Sequence, residues 1–254
     1  MEPSESSVRF GGIERLYGPD AASRIARGHI CVIGLGGVGS WVVEALARTG
    51  VGTLTLVDLD EICASNINRQ LHALSHTIGK GKAAVLAERV RAINPAIQVN
   101  VIEDFFTEST AEQILGTPYD VVVDCIDNFT NKLIMIKACR RKRQRLIVLG
   151  GAGGRRDPTQ IKVTDITKAH GDKMLAMLRK KLRQKHDFPR KGTWSIRCVY
   201  SDEVPVLPEG MACAPDGLDC ETGYGAVTYV TGTFGFLASA AAVEWMLIPK
   251  VVAP

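Results

Sequence analysis

Short apolar runs and longer segments of helical spacing take turns along the first 150 residues of the chain. "HICVIG" (residues 29–34) and "YDVVVDCID" (119–127) are apolar without alternation, the pattern of a strand buried on both faces. "TLTLVD" (53–58) and "RLIVLGG" (145–151) read as further strands, and "IQVNVIED" (97–104) as one with alternation. Between them, "SWVVEALARTG" (40–50), "KGKAAVLAERVRAINP" (80–95) and "NKLIMIKACRRKRQ" (131–144) carry helical spacing, the first stopped by a glycine and the second ahead of Pro95. "STAEQIL" (109–115) predicts a short helix opened by a capping box of Ser109 with Glu112.

Strand and helix in alternation predict right-handed crossovers and therefore an α/β fold: a Rossmann-like, doubly wound, mainly parallel sheet. After "GGAGGRRDPTQI" the pattern changes. A strand-like "QIKVTDI" leads into a helix rich in lysine and arginine, then a stretch rich in Pro, Gly and Asp, then an apolar C-terminal run. The reading is one domain over residues 1–254 with a basic helical insertion at about 167–194. The run "AVTYVTGTFGFLASAAAV" (226–243) is uncharged and near spanning length, but its three threonines, two glycines and serine, with Glu244 next, favour a packed helix over a membrane span.

Composition narrows this further. Of 254 residues, 46% are apolar and 23% charged, ordinary for a globular chain that buries a sizeable core. The seven cysteines form no CxxC pair, which argues against a disulfide framework or a cysteine-rich zinc site and for a reducing, cytoplasmic setting. The first residues lack the basic-then-apolar order of a signal peptide. The formal net charge of +4 is mild but unevenly spread: residues 168–192 hold nine lysines and arginines against two aspartates, and "RRKRQR" (140–145) adds five cations. Such clusters, with His170 and His186 nearby, suit a phosphate backbone, although a solvated helix face would look the same. Arg179, Lys180, Lys181 and Arg183 are the candidate RNA contacts.

The candidate chemistry starts at "GLGGVG". Gly34, Gly36 and Gly39 fit G-x-G-x-x-G between strand and helix: a tight turn, a close approach to phosphate and a close helix–strand contact, with free amides favouring an anion. Gly37 completes the loop. Asp58 ends the next strand, where a carboxylate can accept hydrogen bonds from ribose. These features fit a nicotinamide as well as ATP. The polar run that follows, Asp60, Asn66, Asn68, Arg69 and Gln70, then Lys82, then Asp127 and Asn128, adds cations for phosphate oxygens, amides for ribose or phosphate, and a carboxylate suited to Mg2+.

At these residues the chain resembles the adenylating enzymes that include ubiquitin-activating enzymes and the bacterial activators of sulfur-carrier proteins. "GLGGVG", "DLDEICASNINRQ", Lys82 and "DCIDN" match that family's signature over most of the first 150 residues. The resemblance implies that Asp58 binds the ATP ribose, that Arg69 and Lys82 hold the triphosphate, and that Asp127 is the magnesium ligand. It implies a homodimer too, with Arg9 or Arg15 completing the partner's phosphate site, Arg15 being the residue carried forward. The chain lacks the paired CxxC zinc ligands typical of the carrier activators. The segments "RFGGIERLYG", "INRQLHAL", "GGAGGRRDPTQIKVTDI" and "GYGAVTYVTGTFGF" resemble instead the branch of the family that cyclises threonylcarbamoyladenosine in tRNA. That branch implies adenylation of the threonyl carboxylate, attack by the neighbouring carbamoyl group, and release of AMP.

Activation of a ubiquitin-like or sulfur-carrier protein is the nearest alternative, and a sulfur-transfer protein could be a partner. A nicotinamide oxidoreductase is opposed by the Asn-Arg-Gln run, and an RNA-binding module without turnover is the remaining class. Cys198 and Cys220 read as inert small residues, since cyclisation needs no thioester. His29 and His72 read as structural, and Thr159 and Gln160 as turn and strand residues.

Overall fold

The computed structural model describes residues 5–206 and 224–249. Two helices open the chain, α1 (Glu5–Tyr17) and α2 (Pro19–Arg27). Then come β1 (His29–Ile33), α3 (Gly39–Arg48), β2 (Thr53–Val57), α4 (Lys82–Ile93), β3 (Gln98–Ile102), the short α5 (Ala111–Ile114), β4 (Val121–Asp124), α6 (Phe129–Arg141) and β5 (Leu146–Leu149). The remainder supplies β6 (Ile161–Asp165), α7 (Lys173–Lys185), β7 (Arg197–Ser201) and α8 (Thr228–Leu247).

Seven strands form one sheet in the order β3-β2-β1-β4-β5-β7-β6. Every pairing is parallel except β6 with β7. The strand order reverses between β1 and β4, so a crevice opens outside their carboxyl ends, where open α/β sheets bind ligands. The unalternating apolar strands are buried because both faces are covered: Val32, Val123 and Leu149 face a core closed by α3, α4 and α8, while Cys31, Val122 and Val148 face one closed by α5, α6 and α7.

Helix α8 is long and apolar enough to cross a membrane. It lies against α3 and across β4, β5, β7 and β6, with Val230, Phe234, Ala238 and Ala242 fully buried. Its glycines serve that packing. A Cβ on Gly235 would stand 2.6 Å from that of Trp41, so the two helices meet nearly backbone to backbone.

Two expectations change. The Ser109–Glu112 capping box does not form: α5 starts one residue later, with Thr110 at its cap position, and Glu112 pairs instead with Arg141 and Lys142. The basic segment is also less of an insertion than its composition suggests. Leu175, Leu178 and Leu182 of α7 are fully buried in the second core, β6 and β7 extend the same sheet around it, and only its outer side is cationic.

Candidate active site

The glycine loop leaves β1 and enters α3 directly. Gly34 adopts φ 87°, with the Cys125 peptide against its α-carbon, and a Cβ there would lie 2.9 Å from that backbone. A Cβ on Gly39 would stand 1.8 Å from the Gly34 carbonyl oxygen, so loop and helix close only on glycine. Gly36 differs. Nothing but the Gln70 amide, 3.8 Å away, approaches the place its Cβ would take. The protein therefore leaves room above Gly36, while the Gly36, Gly37 and Val38 amides donate to no acceptor among the described residues. That is an anion seat at a helix start.

Asp58, at the carboxyl end of β2, braces this loop. One of its oxygens accepts from the Leu35 amide at 2.6 Å and the other from the Asp60 amide at 2.8 Å. Burial pushes its carboxyl above the ordinary range, against the lowering effect of those two amides and of Lys82. Asp60 is half exposed and accepts from Lys82 Nζ at 2.7 Å, so the phosphate-side lysine rests on a carboxylate beside the loop. Lys82 is itself nearly buried, at 7% exposed.

The polar run is a folded turn rather than an extended loop. Asn66 is buried and accepts from the Cys63 amide at 3.1 Å. Arg69 donates to the Ser65 carbonyl at 2.8 Å and to Asn68 Oδ1 at 2.9 Å, with its own carbonyl accepting from Trp41 Nε1. Gln70 is buried beside Gly36 with its Oε1 unsatisfied. His72 is buried with both ring nitrogens unsatisfied, and burial together with the Lys82 charge holds its imidazole down at about 4.

Asp127 and Asn128 follow β4 at the same edge, and both are exposed. Asn128 caps α6 by accepting from the Asn131 amide at 3.1 Å, so the cap falls to it and not to Asp127. The Asp127 carboxylate makes no hydrogen bond or ion pair among the described residues.

These residues fit a nucleotide triphosphate with magnesium. An open cradle over Gly36, unused amides, an orphaned buried amide oxygen and the exposed, unpaired Asp127 carboxylate meet at a single edge, and Mg2+ usually takes one or two carboxylates plus phosphate oxygens. Among the described residues no group of three or more His, Cys, Asp or Glu could hold a metal unaided.

The sequence reading missed how the C-terminal segment closes this site. Asn68 Nδ2 donates to the Ala226 carbonyl at 3.1 Å, Thr228 Oγ1 donates to the Asn68 carbonyl, and Thr231 packs against Gly37. No local signal marks these contacts.

The other candidates separate. Arg15 is exposed on α1, its guanidinium lying back along its own helix near Gly11, and Arg9 donates to the Ile93 carbonyl at 3.3 Å. Lys180 and Lys181 are exposed on α7, whereas Arg179 donates to the Ile166 carbonyl at 3.0 Å and Arg183 lies 5.3 Å from the centre of the Trp194 ring. Arg179, Lys180, Arg183 and Arg190 line a shallow groove of about 330 Å³. The "RRKRQR" cations are largely engaged. Arg140 stacks on Phe188, Arg141 and Lys142 pair with Glu112, and Arg145 donates to the Trp245 and Pro249 carbonyls, leaving Arg143 outside such contacts. His170 contacts Asp202 at 2.7 Å. Cys198 is fully buried, and burial pushes its thiol up to about 12, which suits an inert side chain. Cys220 lies outside the described residues.

An open doubly wound sheet with a glycine loop, a bracing acid and a phosphate-side lysine at its carboxyl edge defines a nucleotide-binding domain of the adenylating class. The chain belongs to the ThiF family, which matches residues 12–250. It is 47% identical over 247 residues to a tRNA threonylcarbamoyladenosine dehydratase of Haemophilus influenzae, covering 95% of this chain and 94% of the relative. The solved structure of the Escherichia coli tRNA N6-threonylcarbamoyladenosine dehydratase TcdA in complex with ATP superposes with a TM-score of 0.88 at 44% identity, covering 97% of each chain. A sulfur carrier protein adenylyltransferase of Thermus thermophilus is 36% identical over 118 residues, which is 46% of this chain.

Proposed function

We propose that this chain is an ATP-dependent dehydratase that adenylates the threonyl carboxylate of threonylcarbamoyladenosine in tRNA and cyclises it, as a cytoplasmic homodimer. The observation that carries this reading is the end-to-end likeness to the tRNA dehydratases, basic segment included, where the carrier-protein activator matches less than half of the chain.

In the adenylation step a threonyl carboxylate oxygen attacks the α-phosphorus of ATP and pyrophosphate leaves. The carboxylate is already ionised, so this step needs charge stabilisation more than a base. The Gly36, Gly37 and Val38 amides receive phosphate oxygens, Asp58 takes the ribose, and Asn66, Asn68 and Gln70 contribute amide groups around them. Arg69 and Lys82 neutralise the triphosphate, with Lys82 exchanging Asp60 for phosphate. Asp127, beside Asn128, would hold Mg2+, which supplies positive charge to the phosphate oxygens when bound. In the second step the carbamoyl nitrogen attacks the acyl-adenylate carbonyl, loses its proton and expels AMP. The sum is loss of one water from the nucleoside.

Arg179, Lys180, Lys181 and Arg183 on α7 receive the tRNA backbone, and Arg15 completes the phosphate site of the partner subunit. The deciding experiment follows ATP consumption with magnesium, with and without tRNA carrying threonylcarbamoyladenosine, and then weighs the nucleosides. AMP release with a product lighter by one water is expected. ATP use without that mass change would overturn the tRNA substrate and point to a carrier protein.

A further inference from the structure

Beneath the Asp127 turn lies a charged pair that the chemistry above does not use. Lys132, in the second turn of α6, is 1% exposed, and its Nζ sits 3.1 Å from Asp124 Oδ2 and 3.5 Å from the Asp124 carbonyl. Asp124, the last residue of β4, is wholly buried, and its Oδ1 accepts from the Ile126 amide at 3.1 Å.

Elementary energetics disfavours this lysine. Its charge is taken out of water on the buried side of α6, which also carries Met135, Ile136 and Cys139, near a helix N-terminus whose dipole repels a cation, and a long side chain is frozen. Apolar residues of similar volume often fill such a space with no loss of stability. A charged pair can do what they cannot, which is to aim.

We propose that Lys132, through its ion pair with Asp124, is a positioning residue that fixes the Asp127 carboxylate for the metal-bound triphosphate; this rests on the reading of Asp127 as the metal-side carboxylate. The pair ties three things to one point: the end of β4, the Ile126 amide and the first turns of α6, where the Lys132 amide donates to the Asn128 carbonyl at 3.1 Å. Asp127 lies between those anchors. On its other side the turn is registered against the glycine loop, because the Cys125 amide donates to the Ile33 carbonyl at 2.8 Å and the Cys125 peptide presses on Gly34. The carboxylate is thus held relative to the amides that receive phosphate. Lys132 also cancels the Asp124 charge, leaving Asp127 as the single uncompensated carboxylate at this strand end.

The test uses the full-length protein without tRNA. ATP binding is measured by titration calorimetry in magnesium and in EDTA, and Mn2+ in the presence of ATP by electron paramagnetic resonance. The variant is the neutral pair Asp124→Asn with Lys132→Met, its fold checked by circular dichroism and melting. ATP affinity in EDTA should match the parent, while the tightening that metal confers should fall about tenfold, the usual scale for losing a group that orients a metal ligand. Metal-dependent tightening equal to the parent's would overturn the proposal. Should the pair not fold, Asp124→Asn alone, nearly isosteric, carries the same expectation and the same overturning result. Asp127→Asn separates the two layers. If it keeps full tightening, the reading of Asp127 fails; if it loses tightening while the neutral pair keeps it, only the role of Lys132 fails.

Discussion

The two candidate binding surfaces, the carboxyl edge of the sheet and the outer face of α7, are built on different rules. On the β1, β2 and β4 side the main chain places nearly every group: Asp58 is held by two amides, Asn66 and Gln70 are buried, and Gly39 admits no other side chain. On the α7 side the inner, leucine-lined face is specified by packing; of the outer cations Arg179 is tied to the Ile166 carbonyl and Arg183 lies over Trp194, while Lys180 and Lys181 are placed by helix geometry. A small anion that must be bound at one phosphorus requires the first kind of surface. A long polyanion is held through summed charge and tolerates the second.

Substitutions should expose that difference. Asp127→Ala is expected to lower AMP formation by about 10³-fold or more with an unchanged circular dichroism spectrum, the scale of losing a central electrostatic group; normal turnover in the folded variant would remove Asp127 from the site. Gly39→Ala should cost about 4 kcal/mol or prevent folding, as severe backbone overlap does, whereas Gly36→Ala should melt within about 1 kcal/mol of the parent and lose about tenfold in ATP affinity. Equal melting of the two variants would mean that the room over Gly36 has no ligand role.

Acid should strike the nucleotide half through His72. Its imidazole titrates at about 4 in the fold and near 6.5 in the unfolded chain, so the unfolded state binds the extra proton. Stability is complete above pH 6.5 and is lost as pH falls toward 4, by about 3 kcal/mol. His72→Gln should flatten that limb in a denaturant series run from pH 7 to 4; an unchanged slope would clear His72. The smallest effect belongs to the basic half. Alanine at Arg179, Lys180 and Lys181 should weaken tRNA binding about tenfold at low salt and reduce the salt slope by about two, since Arg179 is already tied to the Ile166 carbonyl. A parallel salt series would return α7 to an ordinary solvated face.

This contrast also explains what could be read ahead of the structure. The strands from "HICVIG" to "RLIVLGG" and the glycine loop are legible because period and local spacing encode them, whereas the polar run at Asn66–Gln70 did not announce its fold as a turn. The family resemblance placed the adenylating chemistry, and the family match bears that out. Three further things were not legible. The antiparallel β6 and β7 pair across residues far apart in sequence. The capping box had suitable residues, but Glu112 found two cations on α6 instead. And "RRKRQR" announces free charge, whereas four of its five cations are spent on partners from other elements. Lys132 left one clue, a cation at the head of "KLIMI", three and four positions before the buried Met135 and Ile136.

The bond from Asn68 to Ala226 joins residues 158 positions apart, and α8 covers the first core from the far end of the chain. During synthesis the glycine loop and its acids emerge from the ribosome early, yet the turn that bears Arg69 gains its last contacts only when residues 226–231 arrive. A chain halted at β7 is therefore expected to display the whole motif yet bind ATP more weakly than the complete chain, which titration of the truncated and full-length proteins would check.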